Sequence, residues 1–154
     1  MPMTEFLSPD AVFSNIKMTS KKQLLQFMSE KASEMTGISD RDILDTIMQR
    51  ERLGSTGVGN GIAIPHCKMK AATHLVGLFV RLDQALDFEA IDDQKVDLVF
   101  MLIAPELAGA DHLKALSKVA RALRSADIVD GIRRAPDAHM IYDILSPREA
   151  SFAA

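Results

Sequence analysis

Between Leu24 and Met35 the apolar positions recur at helical spacing: Leu24, Leu25, Phe27, Met28, Ala32 and Met35 share one face. Ser20 followed by Gln23 is a capping box that starts this helix, and Gly37 is a natural stop. Ser39 with Asp42 repeats the start signal, and Ile43, Leu44, Ile47 and Met48 form the apolar face of a second helix that ends at Gly54. Elsewhere the pattern is that of strands. Ala11 to Met18 holds a short apolar stretch suited to a first strand. Leu75–Leu82 and Val96–Ala104 are apolar and β-branched enough for two buried strands, joined through the turn-rich Asp92-Asp93-Gln94 region and placed at the centre of a sheet. From Gly109 to Ala126 the helical period returns, with Leu113, Leu116, Val119, Ala120 and Leu123 on one face. Two short helices divided near Pro136 complete the pattern by about Leu145.

Strands interleaved with helices predict an α/β fold, a mixed β-sheet flanked by helices on both faces as an α/β/α sandwich. No repeat and no linker of Pro, Gly or Ser divides the chain, so residues 1–154 read as a single domain with a core from about 7 to 145. Composition narrows the function classes. The formal charge is −3, with both signs mixed along the chain, which makes a nucleic-acid backbone a poor partner. No run approaches the ~20 apolar residues of a spanning helix, and Met1–Pro9 has no leader pattern. The lone Cys67 has no internal disulfide partner and suits a reducing, cytoplasmic setting. The nine methionines fall mostly on helix faces as core filler.

The segment from Gly54 to Gly61 holds four glycines in eight residues and reads as a flexible loop leading into a short strand, Ile62-Ala63-Ile64. Clustered glycines let backbone N–H groups converge on phosphate oxygens, which raises a nucleotide or anion site. Gly54 and Gly59 have the spacing that opens a P-loop, but Asn60-Gly61 stands where Lys and Ser or Thr are required. A dinucleotide fingerprint fails too, because the third glycine is out of register and a strand follows instead of a helix. Cys67 beside His66 suggests half a metal site, yet no spaced ligand cluster accompanies it, so no metal is expected. His74 and His139 match no motif and are expected on the surface.

Pro65-His66 ends the short strand and holds an imidazole at its tip. The run Arg50-Glu51, Gly54-Ser55-Thr56-Gly57 and Gly59-Asn60-Gly61-Ile62-Ala63-Ile64-Pro65-His66 resembles the phosphorylation-site signature of the type-2 IIA proteins of the bacterial phosphoenolpyruvate-dependent phosphotransferase system. The resemblance extends from about Leu7 to Leu145 and is closest to the nitrogen-regulatory branch. It implies that His66 accepts the phosphoryl group. It implies further that His112, in Gly109-Ala-Asp-His-Leu-Lys-Ala-Leu-Ser, is the auxiliary second histidine, and that Arg50 stabilises phosphoryl charge. The glycine segment, with Ser55, Thr56, Gly57, Gly59 and Gly61, becomes a phosphate loop. Cys67 stands where many relatives have glycine, which makes the local chain stiffer or open to oxidation.

An imidazole of ordinary pKa, about 6.5, is roughly three-quarters unprotonated at pH 7 and attacks phosphorus without a strong base. Transfer runs through a loose, in-line transition state with charge on the equatorial oxygens, which fixed donors stabilise. Taken alone, Arg50 also reads as a solvated charge in a last helical turn and His112 as a first-turn surface residue. The resemblance implies an HPr-like carrier (NPr) below enzyme I as donor, no cofactor, and partner proteins such as kinases or potassium-transport proteins read by phosphorylation state. A sugar-specific component donating to a IIB domain of a fructose- or mannitol-type permease is one alternative. A binding module independent of phosphorylation is another.

Overall fold

The computed structural model describes residues 1–147; the last seven residues of the expected domain, 148–154, lie outside the described residues. Two 3-10 turns, Met3–Glu5 and Pro9–Ala11, lead into β1 (Val12–Ile16), which is shorter than the apolar stretch predicts. Then come α1 (Lys21–Thr36) and α2 (Asp40–Leu53). Both start where the capping signals place them. Ser20 Oγ accepts the Gln23 N–H, while the Gln23 side chain accepts from the Thr19 N–H rather than that of Ser20. Ser39 Oγ accepts the Asp42 N–H, and Gly37 ends α1 in the left-handed region at φ 78°.

Four short and long strands follow: β2 (Gly57–Gly59), β3 (Ile62–Ala63), β4 (His66–Met69) and β5 (Val76–Leu86), with β6 (Val96–Pro105) closing the set. The glycine segment is therefore more ordered than a flexible loop. Asn60 and Gly61 have φ values of 58° and 81°, the pair of positive angles of a type I′ hairpin turn, so β2 and β3 are a two-residue hairpin. Gly57 is needed for a different reason: a Cβ there would lie 2.7 Å from Ala90 Cβ.

The sheet runs β1-β5-β6-β3-β2, with β4 also on β6. The two long apolar strands are antiparallel neighbours at its centre, as their composition predicts. β6 is buried without interruption from Leu98 to Ala104, so both faces of the sheet centre are covered. The covering helices form two groups: α1 packs on α2, while α3 (Ala110–Arg124), α4 (Ala126–Arg134) and α5 (Ala138–Leu145) pack in succession. Phe79 and Phe100, fully buried, pack with ring centroids 6.2 Å apart and planes inclined by 58° within the core.

β3 and β4 pair with β6 in one unshifted parallel register, Ile62 with Leu98 and His66 with Leu102. They are one strand broken at Ile64-Pro65. His66 thus opens the second half instead of ending the first. A second difference concerns α3: Leu113, expected on the buried face, is 69% exposed, while His112 is buried with Ala115, Val119 and Leu123. At about 100° per residue, His112, Ala115, Val119 and Leu123 form one stripe and Leu113 lies off it.

Between α4 and α5, Arg81 of β5 reaches across to the chain. Its Nη1 donates to the carbonyls of Ile132 at 2.9 Å and Ala135 at 2.6 Å at the end of α4, and the Ile132 carbonyl also accepts the Ala135 N–H at 3.3 Å. Replacing Arg81 by Ala takes the charged donor from the carbonyl of buried Ala135, and urea denaturation should show a loss of about 1–3 kcal/mol.

Candidate active site

Ile64 lies at the point where the hairpin partner runs out. Its N–H donates to the Thr56 carbonyl at 3.0 Å, continuing the β2–β3 ladder by one bond. The next inward-facing group, the Pro65 carbonyl, accepts from Leu102 of β6 at 2.9 Å. That leaves the Ile64 carbonyl on the outer edge, where the chain has already turned away into α2. The His66 ring takes it: Nδ1 lies 2.7 Å from the Ile64 oxygen. A carbonyl accepts only, so Nδ1 carries the proton and Nε2 carries the lone pair. The half-buried His66 ring is thus held by the backbone through Nδ1, which leaves Nε2 as its lone-pair nitrogen.

His112, 9% exposed, stands beside it with ring centroids 5.9 Å apart and planes inclined by 58°. Its Nε2 is buried and has no hydrogen-bond partner among the described residues. Such an atom is costly unless something polar reaches it. Burial, then the neighbouring His66 ring, then Lys68, hold the His112 imidazole below the ordinary histidine range. The residue occupies the first turn of the fifteen-residue α3, whose start carries no side-chain cap. Helix N-termini attract anions through free N–H groups and the macrodipole.

Arg50 is in the last turn of α2, and its Nη1 donates to the Gly54 carbonyl at 2.9 Å. The helix packs against β4, the strand that His66 opens. The guanidinium thus hangs from the segment that joins α2 to the His66 strand.

The glycine segment serves the site as scaffold. Thr56 N–H donates to Glu51 Oε1 at 3.1 Å, Gly57 N–H to Ser55 Oγ at 3.1 Å, and Asn60 N–H to Asp92 Oδ2 at 3.0 Å. Ser55 Oγ donates to the Phe88 carbonyl at 2.9 Å. Donors spent in this way do not converge on a phosphate, contrary to the phosphate-loop expectation for Ser55, Thr56 and Gly57. Gly59 and Gly61 are further removed: the hairpin tip meets Asp92, Asp97 and Arg133, and Gly61 lies five extended residues from His66, roughly 16 Å.

Cys67 points to the opposite face from His66 and is 7% exposed; burial pushes its thiol up to about 12. A neutral, covered thiol is a poor target for oxidation, against the expectation that this position is open to it. His74 and His139 are exposed, as expected. Among the described residues no group of three His, Cys, Asp or Glu side chains is arranged to hold a metal ion. None of the helices described is long and apolar enough to cross a membrane.

The model of the phosphoenolpyruvate-dependent sugar phosphotransferase system EIIA 2 family matches residues 5–147. The chain belongs to the type-2 EIIA family of the phosphotransferase system. It is 49% identical over 153 residues to the nitrogen regulatory protein of Bradyrhizobium diazoefficiens, covering 99% of this chain and 100% of that one. The crystal structure of the nitrogen regulatory protein IIA-Ntr from Neisseria meningitidis superposes with a TM-score of 0.88 at 31% identity, over 92% of this chain and 97% of that one. The mannitol IIA protein of Escherichia coli, in a structure of its complex with phosphorylated enzyme IIB, shares the fold at a TM-score of 0.77 and 18% identity. There the match covers 92% of this chain and 97% of that chain. The type-2 EIIA family and its nitrogen-regulatory branch are thus those that the sequence resembles.

In this EIIA domain the lowered basicity of His112 has a consequence for stability. The unfolded chain takes up its proton near the ordinary pKa of about 6.5, before the folded chain does. Stability from His112 is therefore complete above that pH and falls as pH drops through it. Urea denaturation at about pH 7.5 and about pH 5.5 should show a lower midpoint in acid, and His112→Gln should shrink the difference. An undiminished acid loss in the variant rules His112 out as its source.

Proposed function

We propose that this protein is a cytoplasmic phosphohistidine carrier that takes a phosphoryl group onto Nε2 of His66 from an HPr-like protein. The observation that carries this reading is the 2.7 Å bond from Nδ1 to the Ile64 carbonyl, which leaves Nε2 as the free nucleophile. In the step, Nε2 forms a bond to phosphorus as the P–N bond of the donor phosphohistidine breaks, and the donor ring leaves with that electron pair. No proton has to move on His66, because Nδ1 keeps its own throughout. The product ring holds a proton on Nδ1 and phosphorus on Nε2, which makes it a good leaving group for onward transfer.

Charge on the equatorial oxygens falls to Arg50, to His112 and to the N-terminus of α3. The orphaned Nε2 of His112 gains a partner when a phosphoryl oxygen arrives. Once protonated, the second ring donates a charge-assisted bond. The chemistry needs no metal or cofactor.

The similarity to nitrogen regulatory proteins supports a signalling role, in which phosphorylation alters partner choice. A phosphoryl group adds nearly two negative charges at His66, enough to reverse complementarity with a partner such as a kinase or a potassium-transport protein. Donation to a IIB domain is the second reading, supported by the shared fold with a mannitol IIA protein solved with its phosphorylated IIB.

Incubation with phosphoenolpyruvate, enzyme I and an HPr-type carrier should place one acid-labile phosphoryl group on His66, at Nε2 by 15N NMR. His66→Ala should abolish it; retained labelling elsewhere on the chain defeats the proposal. Arg50→Ala should keep the acceptor but lower the transfer rate by about 10–100-fold. Presenting the labelled protein to a sugar-specific IIB domain separates the two readings, since fast discharge supports transport and a stable label supports signalling.

A further inference from the structure

Glu51 is a buried charge that the transfer chemistry leaves unused. Its side chain is 3% exposed at the end of α2. Oε1 accepts the Thr56 N–H at 3.1 Å and faces Lys21 Nζ at 2.9 Å, while Oε2 accepts the Thr56 hydroxyl. Lys21 is itself covered, 13% exposed by side chain, with its ammonium 4.6 Å from the centre of the Phe88 ring. Buried ion pairs seldom stabilise a fold beyond what apolar residues of similar size achieve. Geometry is the better account of this one.

The bonds lead from Glu51 to the nucleophile without a gap. Glu51 holds Thr56 at both its N–H and its hydroxyl. The Thr56 carbonyl accepts the Ile64 N–H at 3.0 Å, and the Ile64 carbonyl accepts the His66 Nδ1–H at 2.7 Å. The N–H and C=O of one residue belong to different rigid peptide planes, so what passes along this series is position. Ile64 precedes a proline, which already confines its backbone to extended angles; Thr56 fixes where within that range the carbonyl points. The same anchor holds the Gly54–Thr56 segment, whose Gly54 carbonyl carries Arg50.

We infer that Glu51 is a positioning residue that sets the tautomer of His66 through Thr56 and Ile64. A free imidazole in water favours the proton on Nε2, the nitrogen that has to attack. Release of the Ile64 carbonyl therefore removes the nucleophile without touching the ring, as a wrong tautomer does in other histidine-dependent sites. The kinetic part of this inference rests on the phosphocarrier reading; the tautomer part stands apart from it.

The test uses the full chain labelled with 15N-histidine and long-range 1H–15N correlation spectra. The parent should show His66 with its proton on Nδ1. Glu51→Gln and Thr56→Val should show a mixture of the two tautomers. Their transfer rate from a phosphorylated HPr-type carrier should fall about tenfold at saturating carrier, with the half-saturating concentration unchanged. Thr56→Ser, which returns the hydroxyl, should restore the parent spectrum relative to Thr56→Val. If Glu51→Gln does not fold by circular dichroism, Thr56→Val decides. Folded variants that keep the parent tautomer overturn the inference whatever their rates, and so does a Thr56→Ser variant as altered as Thr56→Val. A parent chain that no carrier phosphorylates refutes the phosphocarrier reading, and the spectra still decide the role of Glu51.

Discussion

One hydrogen bond, from His66 Nδ1–H to the carbonyl of Ile64, gives the site its meaning, and the surrounding fold is what makes that bond available. A strand in mid-sheet has its carbonyls spent on neighbouring strands. Here the inner edge of the β3–β4 strand is spent on β6, while the outer edge loses its partner after Thr56 because the chain comes from α2. Pro65 sits at that transition and brings no N–H of its own to satisfy. The imidazole is left as the donor that completes the backbone's hydrogen bonding.

This arrangement joins stability to chemistry. The bond that satisfies a backbone acceptor also chooses which ring nitrogen carries the lone pair. Its counterpart on α3 is the reverse case: His112 is buried with Nε2 unpaired among the described residues, a cost to the fold. Two imidazoles 5.9 Å apart thus have opposite conditions, one bonded to the backbone through Nδ1 and the other with a buried nitrogen unpaired among the described residues. The sheet keeps them there, because β6 pairs with the His66 strand on one edge and α3 begins shortly after β6 ends.

The hairpin that precedes the site has its own anchors. Arg133 of α4 grips Asp97 through two nitrogens and donates to the Asn60 carbonyl, so the tip is tied to the start of β6. Glu51 and Lys21 secure the opposite end, next to Ile64. Glycine-rich composition here serves a tight turn at Asn60-Gly61 and a close pass by Ala90 at Gly57, with little backbone freedom left over.

Local pattern determined much of this protein. Capping residues and helical spacing gave the starts of α1 and α2, and continuous apolar runs marked β5 and β6 as the sheet centre, because these signals act within a few residues of chain. The Asn60-Gly61 turn was equally local, and its dipeptide is a hairpin signal inside what otherwise reads as loop. The resemblance marked Arg50, His66 and His112 as candidates. Only tertiary structure decided how each one is held. The burial of His112 and exposure of Leu113 depend on which face α3 turns toward the rest of the fold. The tautomer of His66 depends on a carbonyl left at a strand edge, and the contacts of Glu51 depend on Thr56 being brought beside the end of α2. Each of those facts comes from groups brought together by sheet register and helix packing, which periodicity in a single chain does not encode.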